Sequence, residues 1–150
     1  MPWKQHAVGA DIVIMAAAVS DFTVAHHQLG KLERGESLKI ELVPTTDIIG
    51  SLADQRGATA RPLLVAFAAE TSADGLERAR AKRIRKQVDM IVYNDVADTS
   101  IGFSSPDNAV TIIDDAGERQ LDRASKQHIA VSIIEQVATR VGQTRDSMLR

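Results

Sequence analysis

The sequence predicts an α/β fold: a mainly parallel sheet flanked by helices, Rossmann-like in its order, with an arm carrying one strand of a different kind and a C-terminal hairpin plus helix. Three observations predict it. The runs Asp11 to Val19, Leu63 to Ala68 and Met90 to Tyr93 are short and apolar without alternation, the pattern of strands buried on both faces. Helical sequence precedes the second and the third run, so strand and helix alternate along the chain. With 150 residues, 44% of them apolar and 25% charged, the chain has the size and composition of one domain with one core.

The elements follow in order. After the first run, Phe22 to Gly35 has no clear period, includes His26 and His27, and ends in the polar turn Glu33 to Glu36, which suits an arm or long loop. Leu38 to Leu42 alternates strictly and predicts a strand with one face toward a core or a partner and the other toward water. Asp47 to Gln55 repeats apolar residues at Ile48, Ile49, Leu52 and Ala53, and Asp74 to Gln87 places Leu76, Ala79 and Ile84 among charges at helical spacing. Pro62 introduces the second buried strand and Asp89 the third. Ala109 to Ile113 and Arg119 to Leu121 flank Asp114-Asp-Ala-Gly117 and read as a hairpin. Ser125 opens a last helix with Ile129, Ile133, Ile134 and Val137 on one stripe, and the polar residues 142–150 are expected to form a disordered tail beyond the domain at 1–141.

Composition excludes several function classes. There is no cysteine, which removes disulfide scaffolds, thiol nucleophiles and cysteine-ligated metal centres. Eighteen basic residues against twenty acidic ones give a net charge of −2, so nothing draws the chain as a whole to nucleic acid or to an anionic membrane. The aromatics Trp3, Phe22, Phe67, Tyr93 and Phe103 are too few and scattered for a base-stacking platform, and nucleic-acid partners are not expected. The longest apolar run, Ile12 to Val19, falls short of the ~20 residues that span a bilayer, and the amino terminus has no signal pattern. No membrane partner is expected, and the location expected is cytoplasmic.

In an open α/β sheet, ligands bind beyond the carboxyl ends of the strands. Here those ends are Ala17 to Asp21, Phe67 to Thr71 and Tyr93 to Asp95, which combine small residues with polar side chains. Small residues also serve tight helix–sheet packing. Lys82 and Lys86 stand four residues apart on one helix face, where two ammonium groups can clamp a polyphosphate. At an effective dielectric near 20, an ion pair at ~4 Å is worth about 4 kcal/mol. The bland alternative is a solvated face partly neutralised by Glu77 or Asp89.

Thr45-Thr-Asp-Ile-Ile49 opens a helix whose free amides suit an anion, as at every helix start. Lys31, after Gly30 in the arm, could reach a phosphate, although loop lysines ordinarily only solubilise. His26 and His27 are adjacent rather than at ligand spacing, and Asp114 and Asp115 need no explanation beyond their turn. A nicotinamide-dependent oxidoreductase would carry a Gly-rich fingerprint after the first strand, where this chain has Ala17-Ala-Val-Ser-Asp21.

AAAVSDF (Ala16 to Phe22), FAAET (Phe67 to Thr71), KRIRK (Lys82 to Lys86) with NDV (Asn94 to Val96), GFSSPDNAV (Gly102 to Val110) and the pair Ser125-Lys126 together resemble the bacterial-type phosphopantothenoylcysteine synthetases. The likeness runs from about Asp11 to Val141. It implies ligation of 4′-phosphopantothenate to cysteine with CTP and magnesium, through an acyl-cytidylate, in coenzyme A biosynthesis. The resemblance makes Met15, Ala16, Ala17, Asp21, Lys31, Thr46, Asp47, Ile48, Ile49, Phe67, Lys82 and Lys86 the CTP contacts, and Lys31 the lysine that also assists the step with cysteine. It leaves the magnesium ligands unassigned. It further implies a homodimer formed through the arm and alternating strand, Phe22 to Val43, and a flavin-dependent decarboxylase domain elsewhere in the gene.

The departures from the family pattern are Thr46 for a common proline, Ser20 for alanine, and Glu33-Arg34 for a second lysine pair. Relatives also carry, upstream of the first motif, a Gly-rich turn, a helix and a strand that supply an asparagine for acyl-cytidylate formation. Only fifteen residues precede Ala16, whereas a βαβ unit takes about thirty, so a shortened chain or one component of a split enzyme is expected. CTP binding is then the function expected of this chain itself, with a non-catalytic binding or dimerising module as the alternative.

Overall fold

The computed structural model describes residues 7, 9–27, 29–31, 35, 37–59, 61–96 and 105–148. Its central layer is a five-stranded sheet built from β1 (Ile12–Met15), β4 (Leu63–Glu70), β5 (Met90–Asp95), β6 (Asp107–Ile113) and β7 (Glu118–Ser125), in that spatial order. β1, β4 and β5 run parallel, and β6 and β7 add an antiparallel hairpin. A separate two-stranded ribbon joins β2 (Phe22–Val24) to β3 (Leu42–Pro44). The helices are α1 (Ile48–Arg56), α2 (Gly75–Arg85) and α3 (Lys126–Met148).

β4 shows why its sequence lacks alternation: both of its faces are covered. Leu64, Ala66 and Ala68 enter a core with Ile49, Leu52 and Ala53 of α1, Ala79 of α2, and Ile91 and Tyr93 of β5. Leu63 and Val65 point the other way, into a core with Met90, Val92, Val110, Ile112 and the α3 residues Ile129, Ile133 and Val137. The helices α1 and α2 therefore cover one face and α3 the other. Gly75 lets α2 start close to the sheet, since a Cβ there would stand 2.6 Å from the Tyr93 hydroxyl oxygen.

Arg56 ties three of these elements together at the amino ends of β4 and β5. Its Nη1 donates to the Pro62 carbonyl at 3.1 Å and to the Asp89 carboxylate, and its Nη2 donates to the Gln87 carbonyl at 2.8 Å. The same Asp89 oxygen accepts the Leu64 amide at 2.7 Å. The Arg56 side chain is only 10% exposed and that of Asp89 30%.

Three sequence expectations need correction. β1 ends at Met15, paired with Ala66, and Ala16 to Val19 leave the sheet exposed. The strand expected at Leu38 to Leu42 forms instead at Leu42–Pro44, because β2 offers only three residues to pair with. Leu38, Ile40 and Leu42 are more than half exposed, so the apolar face is left for a partner rather than packed on either core. Ile134 is also half exposed, because the buried stripe of α3 is the narrower set Ile129, Ile133 and Val137. α3 itself runs to Met148.

The hairpin turn is as expected: Asp114 Oδ1 accepts the amides of Ala116 and Gly117, and Gly117 has φ 136°. Ser125 caps α3, its Oγ accepting the His128 amide at 3.2 Å. Among the described residues, no helix is long and apolar enough to cross a membrane.

Candidate nucleotide site

Three of the sequence-predicted segments meet. The chain leaving β1 is tied to the approach to α1, for Thr45 donates its amide to the Asp21 carbonyl at 2.9 Å and its hydroxyl to the Ser20 carbonyl. Asp47 then caps α1, accepting the Gly50 amide at 3.1 Å on Oδ1. Lys86, at the carboxyl end of α2, reaches across to form an ion pair with Oδ2 of Asp47. A cation is thus fixed beside a helix N-terminus, whose partial positive charge also favours anions.

The electrostatics follow from these contacts. Burial works against ionisation of Asp47, yet the hydrogen bonds from Lys86 and the Gly50 amide, with the charges of Lys86 and Arg85, hold its carboxyl below the usual carboxylate value. Lys82 lies one turn before Lys86 and is half-buried. The acids expected to neutralise this face are engaged elsewhere: Glu77 pairs with Arg80 at 2.8 Å and Asp89 with Arg56. On this face it is Asp47 that pairs with Lys86.

The other candidates are placed as follows. Met15 packs partly on the core, while Ala16, Ala17, Asp21 and Thr46 are exposed around the same junction. Ile48 is half-buried and Ile49 is buried against β4, so α1 offers a ligand its first amides rather than the Ile49 side chain. Phe67 is not with this group. Its side chain packs on the α3 face of the sheet, opposite α1 and α2. Lys31 is exposed on the arm, with no carboxylate against it among the described residues. Glu33, Arg34 and Gly102 to Ser104 lie outside the described residues.

Sequence reasoning missed Gly50 and found Thr45 only as the opening of the approach to α1. Thr45 supplies the bonds that dock the β1 exit, and a Cβ at Gly50 would stand 2.5 Å from Asp47 Oδ2. The spacing of an N-cap aspartate three residues before a glycine was the available signal.

Among the described residues, no group of three or more His, Asp or Glu side chains could hold a metal ion. The carboxylate of Asp21 is exposed at the junction. The remaining candidates are structural: His26 lies 3.9 Å from Glu41 on the arm, and Asp115 pairs with Arg140.

Residues 2–141 match the family described as the DNA/pantothenate metabolism flavoprotein C-terminal domain. The chain belongs to this family. It is 39% identical over 139 residues to the coenzyme A biosynthesis bifunctional protein CoaBC of Bacillus subtilis, covering 90% of this chain and 33% of that protein. To the CoaBC protein of Vibrio vulnificus it is 36% identical over 135 residues, again 33% of the relative. The chain therefore spans about one third of the length of these relatives.

The crystal structure of the C-terminal domain of a CoaBC protein superposes with a TM-score of 0.71 at 29% identity, covering 95% of this chain and 60% of that one. A Cab2 mutant in complex with phosphopantothenate-cysteine shares the fold, with a TM-score of 0.69 at 20% identity. The mixed α/β sheet is thus the family's fold.

Proposed function

We propose that this chain is the CTP-binding part of a phosphopantothenate–cysteine ligase of coenzyme A biosynthesis. The observation that carries the reading is the meeting of Lys86 with the start of α1 at Asp47, beside the loop that leaves β1. In the reaction, the carboxylate of 4′-phosphopantothenate attacks the α-phosphorus of CTP and releases pyrophosphate. The cysteine amine then attacks the acyl carbonyl and releases CMP.

Lys82, Lys86 and the first amides of α1 hold the phosphates and oppose the charge that grows as pyrophosphate departs. The exposed backbone at Ala16 and Ala17 and the Asp21 carboxylate orient the nucleoside, and Asp21 also suits the magnesium shell. Magnesium, when bound with CTP, would supply further charge neutralisation. Lys31 is assigned to CTP and to the cysteine step on the family's spacing. The exposed Phe22, Leu38, Ile40 and Leu42 of the arm support a homodimer formed there. The proposed location is the cytoplasm.

A second reading is a non-catalytic module that binds CTP or dimerises, favoured by the exposed apolar residues of the arm. Incubation with CTP, magnesium, phosphopantothenate and cysteine separates the two by pyrophosphate release. Pyrophosphate that depends on all four supports ligation, CTP binding without it supports the module, and neither result contradicts both.

A further inference from the structure

Both oxygens of the Asp47 carboxylate are engaged, one by the Gly50 amide at 3.1 Å and the other by the Lys86 ammonium. A helix-start amide together with an ammonium is the donor set that a phosphoryl oxygen takes. Within the chain, then, this carboxylate occupies the ground that an incoming phosphate needs.

A Cβ at Gly50 would stand 2.5 Å from Oδ2 and 2.8 Å from Cγ of Asp47, so the carboxylate lies directly over the first turn. The pair is also open to exchange with solvent species: the Lys86 side chain is 23% exposed and that of Asp47 45%.

Resting on the CTP-binding reading, we propose that Asp47 is a positioning residue for Lys86: its carboxylate parks the ammonium at the start of α1 and gives it up to a phosphate of the nucleoside triphosphate. A phosphoryl group brings more charge than a carboxylate to the same donors, which drives the exchange. Asp47 therefore fixes where Lys86 waits, and it also competes with the ligand.

Titration calorimetry with CTP and magnesium at one ionic strength tests this, using the parent chain, Asp47→Asn, Lys86→Gln and the two combined. Asparagine is as good an N-cap as aspartate, so Asp47→Asn keeps the start of α1 while removing the competing charge. Asp47→Asn is expected to bind CTP about two- to fivefold more tightly, the range of a solvent-exposed ion pair. With Lys86→Gln present, the same change is expected to give no gain.

Unchanged or weaker binding by Asp47→Asn overturns the proposal and leaves CTP binding standing. A gain that persists with Lys86→Gln also overturns it, since Asp47 would then repel the ligand directly. If neither the parent nor Asp47→Asn binds CTP, the CTP reading itself fails and the exchange falls with it. Carbon NMR of the Asp47 carboxyl gives a readout without ligand. Its pKa should rise toward the usual value in Lys86→Gln, and no rise contradicts the parked state.

Discussion

Replacing Arg56 with methionine is expected to lower the free energy of unfolding by about 3 kcal/mol, the lower end of what removing one partner of a buried ion pair costs. The lower end applies because Asp89 keeps 30% of its side-chain exposure and still accepts the Leu64 amide at 2.7 Å. The loss has two sources. The carbonyls of Pro62 and Gln87 lose a charged donor, and the Asp89 carboxylate is left half-buried without its cation.

Urea denaturation measures the change, as a shift in midpoint with an unchanged slope. Adding Asp89→Asn to Arg56→Met should restore part of the loss, because the amide oxygen can still accept from Leu64 and no charge is left unpaired. A cost under about 1 kcal/mol for Arg56→Met would place Arg56 among ordinary surface ion pairs and contradict its role as the tie between α1, β4 and β5.

The second large effect is on ligand-dependent stability. CTP with magnesium, at about a hundred times its dissociation constant, should stabilise the chain by about 2.7 kcal/mol. For a chain of this length that corresponds to about 5–10 °C in Tm. ATP should give less. The combined variant Lys82→Ala, Lys86→Ala should abolish the shift while changing the ligand-free Tm little, since Asp47 is 45% exposed and its pairing contributes only modestly to folding. A CTP shift of parental size in that variant would remove both lysines from the site.

The parts of the fold that could be read from the residues are those where burial alone decides. β4 and β5 are covered on both faces, so an unbroken apolar run marks them. Ala16 to Val19 continue the composition of β1 beyond its end, while Thr45, 25 residues beyond Ser20, holds the chain outside the sheet. Alternation at Leu38 to Leu42 signals an amphipathic strand, but alternation does not say what covers the apolar face or where pairing starts. The α3 stripe stops short of Ile134, which lies about 100° around the helix from Ile133.

The candidate site divides along the same line. Asp47 at a helix start and Lys82 with Lys86 on one face could each be found from local pattern. Their meeting could not, because Asp47 and Lys86 are 39 residues apart and joined only by the way α1 and α2 pack on β4. Phe67 shows the opposite case. Its motif is plain, yet which face of β4 it occupies depends on strand parity and on which helices cover each side.

Amide NMR of the chain titrated with CTP and magnesium tests most directly whether the start of α1, the β1 exit and the end of α2 grip the nucleotide together. The shifts predicted are at Ala16, Ala17 and Asp21, at Thr46 to Gly50, and around Lys82 and Lys86, with the β6–β7 hairpin silent. Saturating CTP that leaves those amides unmoved, or that moves the hairpin instead, would contradict the account.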